Sequence, residues 1–117
     1  MMTESNNHST DNRITYETDS YICLIGLNRA DKRNAFDSHM IQQLSEALTR
    51  YENDENLRCA LIFAHGEHFT AGLDIMELQD KWVKGAFEFN DNEIDPWGFG
   101  GKLRSKPVVV AVQGTCF

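Results

Sequence analysis

The sequence predicts an α/β fold built on a largely parallel sheet. Two observations carry this. Short aliphatic runs, "YICLIGLN" (21–28), "RCALIFAH" (58–65) and "VVVAVQG" (108–114), alternate with segments of helical periodicity. The last two runs are nearly continuously apolar, as expected of strands covered on both faces. The chain has 117 residues, enough for one small domain with a real core.

Taken in order, residues 1–12, "MMTESNNHSTDN", form a polar tail with almost nothing to bury and are expected to be disordered. This stretch lacks the positive start and apolar run of a secretory signal and does not read as a transit peptide; a cytoplasmic protein is expected from the three cysteines without a C-x-x-C pair. Residues 13–117 are read as one folded unit. "ITYETD" (14–19) and the run at 21–28 predict a hairpin around a tight turn at Asp19-Ser20. "RADKRNAF" (29–36) is a polar, basic loop. Asp37 or Ser38 can cap the following helix, because a side-chain oxygen there accepts an orphan N–H. Ile41, Leu44, Leu48 and Tyr51 recur three and four apart and define its buried face, with Gln42, Gln43, Glu46 and Arg50 on other faces. This helix is expected to end near "ENDEN". After the strand at 58–65, "GEHFTAG" makes a turn and "LDIMELQDKWVK" begins a second helix. Residues 85–101 mix aromatics, acids and glycines and are expected to hold a short helix within a mobile segment. A helical turn is expected near "GKLRS", before the strand at 108–114. That last strand has no covering helix after it, so the chain reads as the first part of a longer domain or as a part that borrows another chain.

Charge and composition narrow the function. The formal net charge is −7 and no basic stripe offsets it, which argues against a general nucleic-acid binder. No apolar run approaches the roughly 18 residues that span a membrane. Cys23, Cys59 and Cys116 lie in apolar runs without a C-x-x-C pair and are expected to be reduced core thiols. His65, Glu67 and His68 sit on a turn without the spacing of a metal site, and no metal is expected. Asp91, Glu93 and Asp95 read as a solvated acidic loop. "GFGG" (98–101) is not a dinucleotide fingerprint. Trp97, Phe99 and Phe89 suit either the lining of an apolar pocket or plain packing.

The stretch that points to chemistry is Ala71-Gly72-Leu73-Asp74. It follows a buried strand and opens a helix, the place where ligands bind in open α/β sheets. N–H groups at a helix start lack intrahelical acceptors. Gly72 lets the backbone approach a ligand, since no Cβ intervenes. Asp74 is a cap or first-turn acid. The Leu73 N–H is therefore a candidate donor to negative oxygen. A plain turn glycine and a plain cap would look the same.

Three motifs, "LNRADKRNAF", "EHFTAGLDIMEL" and "KPVVVAVQGTCF", occur in this order and spacing. Together they resemble the N-terminal half of the crotonase family, which includes the enoyl-CoA hydratases and isomerases. The resemblance covers residues 13–117. It implies a repeated ββα spiral fold that assembles into trimers or hexamers. It implies an acyl-CoA thioester as ligand, with coenzyme A as part of the substrate and no prosthetic group. In such proteins two backbone N–H groups stabilise the enolate-like thioester oxygen, and Leu73 occupies the place of the first donor. Leu73 departs from the family's usual alanine; the N–H is kept, and the larger side chain reshapes the acyl pocket. The second donor is a glycine that would fall at or beyond Phe117, and the acid–base glutamates would follow it. The 117-residue chain is therefore expected to be inactive in hydration by itself. By the same resemblance Lys32, Arg33 and Ala35 lie at the adenine and phosphates. Ala71, Gly72, Leu73, Asp74 and Ile75 lie along the nucleotide and pantetheine. Asn34 reads as a loop-fixing residue. A non-catalytic half-domain with an oligomerising or CoA-binding role is the alternative reading.

Overall fold

The computed structural model describes residues 12–83 and 88–117. Strands β1 (Ile14–Asp19) and β2 (Ile22–Leu27) pair antiparallel, followed by helix α1 (Ser38–Asn53), β3 (Cys59–Ala64), helix α2 (Ile75–Val83) and β4 (Val108–Val110). The four-stranded sheet has the order β1-β2-β3-β4, with β2, β3 and β4 mutually parallel. The hairpin closes with Asp19 opposite Ile22, and Ser20 takes up the left-handed turn at φ 55°. Most of residues 1–12, all but Asn12, lie outside the described residues, as do Lys84 and the start of the 85–101 stretch.

Helix α1 buries the face its periodicity predicted: Ile41, Leu44, Leu48 and Tyr51 are all buried, joined by Met40 and Ala47. Met40, Leu44, Ala47, Leu48 and Tyr51 pack with Ile14, Cys23, Ile25, Leu27, Ala60 and Ala64 from one face of the sheet. Asp37 is the cap, its Oδ1 accepting the Met40 N–H at 2.9 Å. The far end of the helix is closed by Lys106, whose ammonium donates to the Tyr51 and Asp54 carbonyls at 2.8 and 2.7 Å. A cation there satisfies orphan C=O groups and opposes the negative end of the helix.

Several expectations are corrected. The opposite face of β2 and β3, at Leu24, Leu61 and Phe63, is only half-buried, so these strands are not covered on both sides among the described residues. Strand β4 stops at Val110 instead of running to 114. Beyond it Gly114 turns at φ 59°, and the chain swings over to pair Cys116 with Thr70. Val109 and Val110 are half exposed at this edge. Helix α2 starts at Ile75 because the Gly72 carbonyl and the Asp74 N–H are engaged with Phe36 and Asp74 serves as the cap. No helical turn forms at "GKLRS"; Gly101 and Lys102 fold back onto Ile94. No helix forms over 88–101 either. Ile94, fully buried, is clamped to α1: its N–H donates to Thr49 Oγ1 at 2.9 Å and its carbonyl accepts from Ser45 Oγ at 2.7 Å. Asp95 is not solvated. It is buried and accepts the N–H groups of Trp97, Phe99 and Gly100. Of the cysteines, all free, only Cys23 is a core thiol; Cys59 is intermediate and Cys116 exposed. Burial pushes the Cys23 thiol pKa up, which makes it a poor thiolate.

Candidate functional site

Strands β2, β3 and β4 run in the same direction, so the loops leaving their carboxyl ends emerge together. These loops then pair with one another. The Phe36 N–H donates to the Gly72 carbonyl and the Asp74 N–H to the Phe36 carbonyl, both at 2.8 Å, which makes Phe36 and Leu73 a parallel bridge. On the other side of the 69–74 segment, the Thr70 N–H donates to the Thr115 carbonyl and the Phe117 N–H to the Thr70 carbonyl, both at 3.0 Å. Segments 33–36, 69–74 and 113–117 thus lie side by side beyond the sheet.

Short side chains lock this arrangement. Asn34 is fully buried and sits at φ 56°. Its Nδ2 donates to the His65 and His68 carbonyls, each at 2.9 Å, and its Oδ1 accepts the Arg29 N–H at 2.7 Å. This is the loop-fixing role expected of it. The Thr70 hydroxyl donates to the Asn34 carbonyl at 2.7 Å and accepts the Gly72 N–H at 3.0 Å. His68 is also structural: its Nδ1 accepts the Thr115 N–H at 3.0 Å. His65 Nε2 meets the Thr15 hydroxyl at 3.0 Å.

Three of the four backbone donors in the tight turn have acceptors. The Ala71 N–H goes to the Arg33 carbonyl at 2.8 Å, the Gly72 N–H to Thr70 Oγ1 and the Asp74 N–H to the Phe36 carbonyl. The Leu73 N–H meets no acceptor among the described residues. In a parallel bridge, consecutive N–H groups of extended backbone point to opposite edges. Asp74 faces Phe36, so the Leu73 N–H points away from that strand. Gly72 has φ 98°, which favours glycine, and a Cβ built there would meet Phe117 at 3.4 Å. Phe117 therefore lies directly against the turn that carries the free N–H.

The sequence-predicted site residues are brought together here. Lys32 ends a short 3-10 turn (Ala30–Lys32), Arg33 caps it at φ 51°, and Ala35 follows. The side chains of Lys32 and Arg33 are exposed, with no ion pair among the described residues. Ala71 is half-buried, while Leu73 and Ile75 are exposed at the start of α2. Trp97 approaches from the 88–103 segment, its ring edge-on to Phe36 at 6.0 Å, whereas Phe99 projects into solvent and Phe89 is half-buried. Sequence reading did not single out Phe36, Thr70 or Arg29. Their importance lies in pairing with distant segments, which leaves no local pattern.

Helix α2 is tied to α1 through Glu77. Its carboxylate accepts the Ser38 N–H and hydroxyl, each at 2.9 Å, and faces Lys81 at 3.2 Å. Partial burial opposes its charge, but the Ser38 hydrogen bonds and Lys81 prevail and hold the carboxyl below its usual range. A folded-state pKa below the unfolded one gives stability above the ordinary carboxylate value, about 4.3. That stability is lost as pH falls through the lower folded value. Thermal melts of Glu77→Gln against the parent should therefore differ at pH 7 and converge once the pH has fallen below the lowered folded value. A constant gap across that range would show that the charge is not what ties the helices.

Known proteins resemble this chain over most of its length. A family model described as enoyl-CoA hydratase/isomerase matches residues 17–117. A mevalonyl-coenzyme A hydratase of Beauveria bassiana is 35% identical over 103 residues, covering 82% of this chain and 37% of its own length. A mitochondrial Delta(3,5)-Delta(2,4)-dienoyl-CoA isomerase of Homo sapiens is 28% identical, covering 97% of this chain and 38% of its own. The crystal structure of a probable enoyl-CoA hydratase/isomerase from Mycobacterium abscessus superposes with a TM-score of 0.80 at 40% identity, over 88% of this chain and 39% of that one. The chain thus spans under two-fifths of the length of these relatives. The family model and these likenesses show that this chain belongs to the enoyl-CoA hydratase/isomerase, or crotonase, family, and corresponds to the N-terminal part of its domain.

Proposed function

We propose that this protein acts on an acyl-CoA thioester, most simply by hydrating or isomerising an enoyl-CoA, with the Leu73 N–H polarising the thioester oxygen. The observation that carries this reading is the Leu73 N–H itself, the one donor of the 71–74 turn without an acceptor among the described residues. A thioester oxygen gains charge when the α-carbon loses a proton or the β-carbon gains a nucleophile. A donor fixed in advance lowers that barrier without reorganising during the reaction. By the family resemblance, the second N–H donor and the acid–base carboxylates fall at or beyond Phe117, which lies against Gly72. Hydration by residues 1–117 alone is then expected to be negligible. Robust turnover of crotonyl-CoA by that stretch would overturn this placement of the catalytic groups.

At the other end of the ligand, Lys32 and Arg33 meet the phosphates. Both side chains are exposed beside the turn, and Arg offers a planar fork suited to phosphate oxygens. Ala35, Ala71, Asp74 and Ile75 line the path from there to Leu73. The intact protein is a homo-oligomer in this reading. Calorimetry with CoA should show Arg33→Ala weakening binding about tenfold, the scale of one charge-assisted phosphate contact. Unchanged affinity would remove Arg33 from the ligand, and no binding by the intact protein would remove the CoA site.

A further inference from the structure

Arg29 is the charged group that joins the three parts of the site. It is largely buried on loop 28–37, with a side-chain exposure of 14%. Its Nη1 donates to the Ala35 carbonyl at 2.9 Å and to Asp74 Oδ2 at 3.0 Å, and its Nη2 lies 3.7 Å from Asp37 Oδ2. Its backbone N–H is held by the buried Asn34. One guanidinium thus touches the loop proposed for the CoA phosphates, the cap of α1 and the cap of α2.

Asp74 follows Leu73 directly, and every polar part of it is in use. Its N–H donates to the Phe36 carbonyl, its Oδ1 accepts the Glu77 N–H at 3.3 Å and its carbonyl accepts the Leu78 N–H at 2.9 Å. Its other carboxylate oxygen takes Arg29. On the other side of Leu73, Gly72 is held by Thr70. The direction of the Leu73 N–H is therefore set by two anchored neighbours, and one anchor depends on Arg29.

We infer that Arg29 is a positioning residue: through Asp74 it aims the Leu73 N–H, and through Ala35 it keys that donor to the loop that carries Lys32 and Arg33. This rests on the proposed role of Leu73. Arg29 itself touches no ligand. Its Nη1 reaches Ala35 and Asp74 while its Nη2 lies toward Asp37, a spread over two nitrogens that a lysine's single ammonium does not match. A displacement of about 1 Å at such a donor costs on the order of 100-fold in rate.

The test uses the intact protein, labelled to report the Leu73 amide by NMR, with acetyl-CoA and CoA as probes. The parent should show a Leu73 amide-proton shift with acetyl-CoA that CoA does not produce. Arg29→Gln should reduce that shift by about threefold or more while CoA affinity stays within about twofold, since the phosphate contacts remain. Arg29→Lys should recover part of the shift. Asp74→Asn keeps a capping side chain and tests the same link from the other end. The double variant should be no worse than either single one, because both break one interaction. The inference is overturned if Arg29→Gln leaves the shift unchanged, if CoA affinity falls in step with it, as a merely structural role would give, or if the two substitutions add. A parent with no Leu73 response to acetyl-CoA would overturn the proposed donor, and the inference with it.

Discussion

Replacing the Gly72–Leu73 amide by an ester, through an α-hydroxy analogue of leucine at 73, is expected to slow turnover of an enoyl-CoA by the intact protein about 100- to 1,000-fold. The exchange removes one N–H and keeps the Leu73 side chain. Among the described residues that N–H holds no part of the fold together, so little structural cost is expected from its loss. The ester does make the Gly72 carbonyl a weaker acceptor for the Phe36 N–H. That effect belongs to stability and is read in a thermal melt. The effect on kcat should be much larger than the shift in melting temperature implies. Loss of a donor equally engaged in ground and transition states would raise KM instead, because only interactions stronger in the transition state lift kcat. Full activity in the ester variant would end the case for Leu73 as an oxyanion donor.

Asn34→Ala should be among the most destabilising single changes in the loop region, by about 3–5 kcal/mol. Three backbone groups lose their partner: the Arg29 N–H and the carbonyls of His65 and His68. Asn34 is 0% exposed, so water does not easily replace it. Its φ of 56° adds a cost of about 1 kcal/mol for alanine. Asn34→Gly separates the two terms, since glycine accepts that φ and loses only the side chain. Denaturant unfolding should rank the parent above Asn34→Gly, and Asn34→Gly above Asn34→Ala. Total stabilities of about 5–15 kcal/mol make either loss a large fraction. A change below about 1 kcal/mol for alanine would mean that the 28–37 and 65–70 loops hold without this residue.

Both predictions concern residues in short, irregular stretches, where sequence reading is least informative. The regular elements were legible. The spacing of Ile41, Leu44, Leu48 and Tyr51 named the buried face of α1, and Asp37 its cap, because helical geometry repeats locally and the cap needs only neighbouring N–H groups. The aliphatic runs named the strands to within a residue or two, except at β4. There "VVVAVQG" reads as one strand, yet the chain leaves the sheet after Val110 to pair with Thr70. Asp95 was misread for a related reason. Its acidic neighbours suggest solvent, but its carboxylate is spent on the N–H groups of the turn that follows it. Composition reports average exposure and does not report which backbone donors a fold leaves to be satisfied.

The sequence by itself determined the α/β class, the order of strands and helices, the apolar face of α1 and the likeness to the crotonase family. All of these rest on patterns a few residues long, or on motifs kept in order along the chain. Only the tertiary structure decided that segments 33–36, 69–74 and 113–117 lie side by side, that Arg29 joins Ala35, Asp37 and Asp74, and that the Leu73 N–H is the one donor of the 71–74 turn without an acceptor among the described residues. The physical reason is that a backbone donor looks the same at every residue. Whether it is free depends on every other acceptor the fold brings within reach, and those acceptors come from far along the chain.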